Sequence, residues 1–211
     1  VYSSAIIPKN PEYALAKDKG IAIVQRAKIL SELMKEKKGI AITGAHGKTT
    51  TTSLISLILK RAGLDPTIII GGVVDYLEGN ACWGKGEYLV AEADESDGSF
   101  LNLHPFYEII TNIDREHLDY YHSLEEVITA HHEFINNLKS GGCIFCGADD
   151  QNIKTLLKDV VKEVVTYGLS TSRDFYPDNI AMTENISEFD CLFRGEKLGK
   201  VNLNIPGLHN I

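Results

Sequence analysis

The segment Gly39–Leu54, GIAITGAHGKTTTTSL, constrains this chain more than any other stretch. Ile40–Thr43 reads as a short buried strand that runs into a turn at Gly44–Gly47 and then a helix over Lys48–Ala62. Glycines at 44 and 47 permit backbone angles and close approaches that a side chain would forbid. Successive N–H groups of such a turn, with the positive end of the following helix, can surround a phosphate. Gly44, Ala45, His46, Gly47, Lys48, Thr49 and Thr50 are therefore the candidate phosphate-binding residues. Lys48 supplies a point charge for terminal phosphates, and the Thr49 hydroxyl can ligate Mg²⁺. The spacing is T-G-x-x-G-K-T, shorter than G-x-x-x-x-G-K-[ST], because Ile42 and not glycine stands five residues before Gly47. That points away from GTPases and motor ATPases.

Strand and helix patterns alternate from Ile40 onward, which predicts an α/β fold with a parallel sheet and flanking helices. Further strands are expected at Thr67–Ile70, Tyr88–Glu92, Glu108–Asn112, Cys143–Cys146 and Glu163–Tyr167. In the helix after the turn, Leu54, Leu57, Ile58 and Ala62 form the expected inner stripe. Ser123-Leu-Glu-Glu126 is a capping box that opens a helix to Leu138, with Val127, Ile128, Phe134, Ile135 and Leu138 facing inward. A further helix is expected at Gln151–Lys158. Asp174–Ile205 has alternating stretches and no helical period, so it reads as a small antiparallel side region. Ahead of the turn, Val1–Ile7 and Ile21–Val24 read as strands, with Asn10–Lys19 and Arg26–Lys37 as helices. The chain starts without Met and stops just after Pro206-Gly-Leu-His-Asn210, so an excerpt of a longer protein is the expectation.

Charge narrows the partners. Against 29 Asp and Glu there are 21 Lys and Arg, a net charge of −8 with histidines neutral. A nucleic acid would be repelled by that average, whereas a local site can still hold a small anion. The longest apolar run, Thr67–Val74, is far short of the roughly 18 residues that a membrane-spanning helix needs. Four cysteines in a chain of this size predict reduced thiols in a cytoplasmic protein. Cys143 and Cys146 sit in an apolar strand-like run, where residues three apart point to opposite faces, so core strand is preferred over a metal site.

A phosphate site needs an acid for its metal. Glu92 closes an apolar strand, at the edge where ligands of open parallel sheets gather. Strand alternation puts Asp94 on its face and Glu95 opposite. Asp94, Glu95 and Asp97 fit either the site or a solvated acidic loop. The next strand ends in Thr111-Asn-Ile-Asp-Arg-Glu-His-Leu-Asp119, in which His117 is the functional candidate. Three successive strand ends thus meet at one edge, as phosphoryl transfer requires. His131 lies on the apolar stripe of the 123–138 helix, where core packing is its expected role. His122, His131 and His132 make no metal cluster.

Together, Thr43-Gly-Ala-His-Gly-Lys-Thr-Thr50, Glu92-Ala-Asp-Glu-Ser-Asp97, Thr111–Asp119 and Pro206-Gly-Leu-His-Asn210 resemble the Mur ligases. SSAI, NPE and the RA-x-x-L-x-E-L-M helix before the turn add to the likeness, which covers essentially the whole chain. The resemblance implies a three-domain enzyme that uses ATP and Mg²⁺ to join L-alanine to UDP-N-acetylmuramate through an acyl phosphate, in cell-wall synthesis. Residues 1–38 would be the tail of a Rossmann-like UDP-substrate domain, residues 39–211 would form most of the central ATP-binding domain, and the amino-acid-binding C-terminal domain would be missing. By the same likeness Lys48, Glu92 and His117 are catalytic, and Thr49, Glu92 and His117 hold or neighbour magnesium. His209 and Asn210 would contact adenine, and His46 would lie near the acyl phosphate. Several Mur ligases use a carbamoylated lysine downstream of the histidine motif. No lysine occurs between His117 and Lys139, which argues against the branches that add later amino acids. A tripeptide-recycling ligase and a nucleotide-binding switch or ATPase are the competing expectations.

Overall fold

The computed structural model describes all 211 residues. Its centre is a parallel sheet built from β1 (Lys38–Thr43), β2 (Thr67–Val74), β4 (Tyr88–Glu92), β5 (Tyr107–Ile110), β6 (Cys143–Gly147) and β7 (Val164–Tyr167). The short β3 (Gly79–Cys82) pairs antiparallel with β2 at one edge. At the other edge β8 (Phe175–Met182), β9 (Ser187–Phe193) and β10 (Glu196–Leu203) form the expected antiparallel region. That region joins β7 through one parallel pair, Tyr167 with Phe175, so all ten strands make one sheet. The order is β10-β9-β8-β7-β6-β5-β1-β4-β2-β3, with β1 in the middle of the parallel part. No helix is long and apolar enough to cross a membrane.

Period-two alternation sends the two faces of β1 into different cores. Ala41 joins a cluster with Phe100, Ile110, Phe134 and Ile144. After α1 (Pro11–Asp18), the helices α2 (Arg26–Lys35), α4 (Leu124–Asn136) and α5 (Gln151–Leu156) cover that cluster. Ile40 and Ile42 face the other side, where Ile55 and Leu59 of α3 (Lys48–Arg61) pack on them. The order of the strands reverses beside β1: β1 leads to β2 on one side, and β5 leads to β6 and β7 on the other. A crevice outside the carboxyl ends of strands at such a reversal is where open α/β sheets bind ligands.

Local chemistry explains the helix starts. Ser123 accepts the Glu126 N–H at 3.2 Å, and the Glu126 carboxylate accepts the His122 N–H at 2.9 Å, so the predicted capping box forms one residue wider than the standard pattern. Asp150 caps α5 through the Asn152 and Ile153 N–H groups. Cys143 and Cys146 are buried free thiols of β6, as the core-strand reading expects. Glu108 on β5 is fully buried with neither carboxyl oxygen hydrogen-bonded, and burial pushes it well above the ordinary carboxylate range.

Three expectations fail for physical reasons. Val1–Ile7 and Ile21–Val24 are not strands: only Tyr2 and Gln25 bridge, and no further strand is there for them to pair with. The inner stripe of α3 is Thr52, Ile55, Ser56 and Leu59, whereas Ile58 is 64% exposed and Ala62 is also exposed. Thr52 and Ser56 are buried because small side chains let the helix axis close onto the sheet. Finally, β2 runs four residues beyond Ile70, and its hairpin with the largely exposed β3 lacked an apolar signal.

Candidate active site at the strand ends

β1 delivers the turn to the middle of the sheet edge. Gly44 and Gly47 adopt φ values of +125° and +82°, the left-handed side of backbone space where glycine is favoured. At Gly44 a Cβ would also press on Thr111 and the Asn112 backbone. The end of β5 clamps the turn from there. The Ala45 N–H donates to the Asn112 carbonyl at 3.2 Å and the His46 N–H to Asn112 Oδ1 at 2.8 Å. In return, Asn112 Nδ2 and Thr111 Oγ1 donate to the His46 carbonyl at 2.9 and 2.7 Å. Two of the turn's N–H groups are thus committed to the scaffold. The donors left for an anion are those at the start of α3, where the Gly47 cap has no side chain to bond them. Among helices flanking the crevice, α4 and α5 are capped by Ser123 and Asp150, and α3 is not.

Lys48, the first residue of α3, folds back over the turn. Its Nζ donates to the Gly44 carbonyl at 2.6 Å and to Glu95 Oε1 at 2.7 Å. Glu95 is the residue that sequence reasoning failed to choose. Alternation set it opposite Glu92, but the chain leaves β4 after Glu92 and turns, with the Gly98 N–H donating to the Glu95 carbonyl. Strand periodicity does not govern a turn, and Glu95 lies only 2% exposed beneath Lys48. Its Oε2 accepts from Thr43 Oγ1 at 3.4 Å, and the Tyr121 hydroxyl donates to its carbonyl at 2.7 Å. The one usable signal was chemical: a lysine held at the crevice needs an acid, and four lie in one short run. Asp94 is exposed, and Asp97 accepts the Ser99 N–H, so these two serve the turn itself.

The three proposed metal-associated residues fall into two places. Glu92 stands at the end of β4 against Gly71 of β2, where a Cβ would meet Glu92 Oε2 at 2.6 Å. Thr49 borders the adjacent Gly72. His117 instead faces Glu95 Oε1 at 3.6 Å and Glu116 Oε2 at 4.0 Å, with a positive φ of +55°. Glu92 Oε1 is buried with no hydrogen-bond partner, an arrangement that normally costs about 1–3 kcal/mol. An orphaned carboxylate oxygen at this strand end fits an oxygen-seeking dication. No group of three or more His, Cys, Asp or Glu side chains converges to hold a metal. Mg²⁺ takes one or two carboxylates and fills its octahedron with phosphate oxygens and water.

His46 is exposed and lies 3.6 Å from Glu116 and 3.8 Å from Asp114, at the mouth of the crevice. Beyond Thr49 and Thr50 a cleft of about 520 Å³ opens between α3 and the end of β2, walled by Leu54, Leu57, Tyr76 and Ile205. Leu54 and Leu57 were assigned to the core; they line this cleft. Ile205 leads directly into the turn that carries His209 and Asn210, where Asn210 Nδ2 donates to the Pro206 carbonyl at 2.7 Å. The crevice therefore sets a lysine and an uncapped helix N-terminus beside a partly apolar cleft, the two kinds of surface that a nucleoside triphosphate requires.

Residues 42–211 match the Mur ligase middle domain, and residues 1–38 match the Mur ligase family catalytic domain. The chain is 50% identical to UDP-N-acetylmuramate–L-alanine ligase of Dictyoglomus turgidum and 48% identical to that of Lawsonia intracellularis. Each alignment takes in 100% of this chain and 46% of the relative, so the chain spans about half the length of the proteins it matches. The crystal structure of UDP-N-acetylmuramate–alanine ligase from Thermotoga maritima superposes with a TM-score of 0.84 at 28% identity, over 99% of this chain and 47% of that one.

Proposed function

Because the chain belongs to the Mur ligase family, we propose that it forms the ATP-binding centre of a ligase joining L-alanine to UDP-N-acetylmuramate in peptidoglycan synthesis. The carrying observation is the meeting at one sheet edge of the uncapped α3 N-terminus, the Lys48 ammonium and the orphaned Glu92 oxygen. The relatives that align over the whole chain carry that activity in their names. In this reading residues 1–38 end the UDP-substrate domain, and residues 39–211 belong to the central domain. His209 and Asn210 lie on the adenine side of the cleft, and His46 on the acyl side.

The reaction explains the site's composition. A carboxylate oxygen of UDP-N-acetylmuramate attacks the γ-phosphorus of ATP; the bond to the bridging oxygen breaks, releasing ADP and leaving an acyl phosphate. The alanine amino nitrogen then attacks the acyl carbon, and inorganic phosphate leaves as the amide forms and the nitrogen loses a proton. Two anions must be pressed together in the first step, so cations and N–H donors carry it rather than a protein nucleophile. Lys48 and the α3 N–H groups hold the phosphates, while Glu95 keeps Lys48 aimed at the crevice until nucleotide arrives. Glu92 and Thr49 would hold Mg²⁺, while His117 stands apart from them beside Glu95. The ion, when bound, neutralises phosphate charge and orients the oxygens for in-line transfer.

The reading is tested by phosphate release from Mg-ATP and UDP-N-acetylmuramate in a full-length ligase carrying this chain. Release dependent on L-alanine is the expected result. Dependence on a cell-wall tripeptide would reassign the protein to recycling, and release without any acceptor would make it an ATPase or switch.

A further inference from the structure

A small cavity of about 10 Å³ lies by the loop after β5, bordered by Glu95, Asp114, Glu116, His117, Tyr121 and His131 among others. His131 is 1% exposed and packs edge-on against Phe100, with ring centroids 5.4 Å apart, so its burial matches the core role expected of it. Its hydrogen bonding does not. Nδ1 lies 2.9 Å from the Val127 carbonyl, and a carbonyl can only accept, so Nδ1 carries the proton. Nε2 is therefore a bare acceptor, buried, with no protein donor in reach. Burial lowers the pKa of this imidazole and keeps it uncharged. A core methionine or leucine would pack here without that orphaned lone pair, which is unfavourable when buried.

The cavity has room for one water, and a water needs two or more polar partners to stay. His131 Nε2 can accept one of its hydrogens. The other has an acceptor in Glu95, whose carboxylate takes only the Lys48 ammonium at 2.7 Å and the long Thr43 contact at 3.4 Å. We propose that His131 is a positioning residue: through one buried water it supplies the Glu95 carboxylate with a fixed donor. This rests on the reading of the crevice as the ATP site. When Lys48 turns from Glu95 to the nucleotide phosphates, Glu95 stays buried and loses its strongest donor. The His131-held water and Thr43 then keep the carboxylate in place beside His117, so that the cationic centre does not collapse between turnovers.

The test compares His131→Met with His131→Gln in the full-length ligase. Gln retains an acceptor near the Nε2 position; Met retains the volume and loses the acceptor. The positioning role predicts a kcat loss of about ten- to a hundredfold in His131→Met, the scale of a lost outer-shell partner. His131→Gln is expected to stay within about threefold of the unsubstituted enzyme, and the KM for L-alanine to stay constant in both. Mere packing predicts the reverse order, because a buried amide costs more than a thioether. Normal turnover in His131→Met overturns the inference, while an unsubstituted enzyme that releases no phosphate overturns the ATP-site reading instead. The ¹⁵N spectrum of the ring in the unsubstituted protein needs no variant to fold. A hydrogen-bonded Nε2 shift supports the water, and the shift of a free acceptor nitrogen excludes it.

Discussion

Ligation by a Lys48→Ala enzyme is expected to fall by about a thousandfold or more, the scale seen when a preorganised donor to a charged transition state is removed. The structure adds a second consequence. Lys48 is the main partner of Glu95, whose side chain is 3% exposed. Deleting one member of a buried pair leaves an uncompensated charge and typically destabilises by about 3 kcal/mol or more. Lys48→Ala alone therefore lowers stability as well as turnover. Adding Glu95→Gln removes the stranded charge, so the double variant is expected to recover most of the lost stability and none of the ligation. Denaturant unfolding together with steady-state turnover separates the two effects. Recovery of activity in the double variant would mean that Lys48 serves the fold through Glu95 and not the phosphates.

Glu92→Gln is expected to do the opposite to stability. Glu92 Oε1 makes no hydrogen bond in its buried position, so neutralising the carboxyl gives up no internal contact and relieves a desolvated charge. Thermal stability is expected to hold or rise, while ligation falls about a hundredfold and the Mg²⁺ concentration for half-maximal rate increases. A stable variant with unchanged Mg²⁺ dependence would remove Glu92 from the metal site. Side chains that cost stability where they stand and return it as function are expected at active sites.

The phosphate turn was legible because its chemistry is contiguous: strand, glycines, lysine and helix follow one another, and local geometry sets their relation. The Ser123 cap and the strand-end location of Glu92 and His117 were readable for the same reason. What escaped depended on packing between distant segments. An apolar stripe chose Leu54 and Ile58 for the core, but the sheet accepts Thr52 and Ser56 because they allow closer approach. Leu54 and Leu57 instead wall the cleft with Tyr76 and Ile205, a neighbour some 150 positions away along the chain. Glu95 was hidden because alternation stops where β4 does. The Asn112 clamp on His46 and the bare nitrogen of His131 are facts of three dimensions that no spacing encodes.

In the proposed reaction this crevice activates a substrate carboxylate by phosphorylation. The most direct measurement uses UDP-N-acetylmuramate labelled with ¹⁸O in its muramoyl carboxylate, turned over with Mg-ATP and L-alanine by a full-length ligase carrying this chain. Formation and aminolysis of an acyl phosphate carry one carboxylate oxygen into the released inorganic phosphate, so labelled phosphate is the predicted result. Phosphate free of label, in a reaction that consumes ATP, would show that water and not the carboxylate attacks the nucleotide, and would contradict the account.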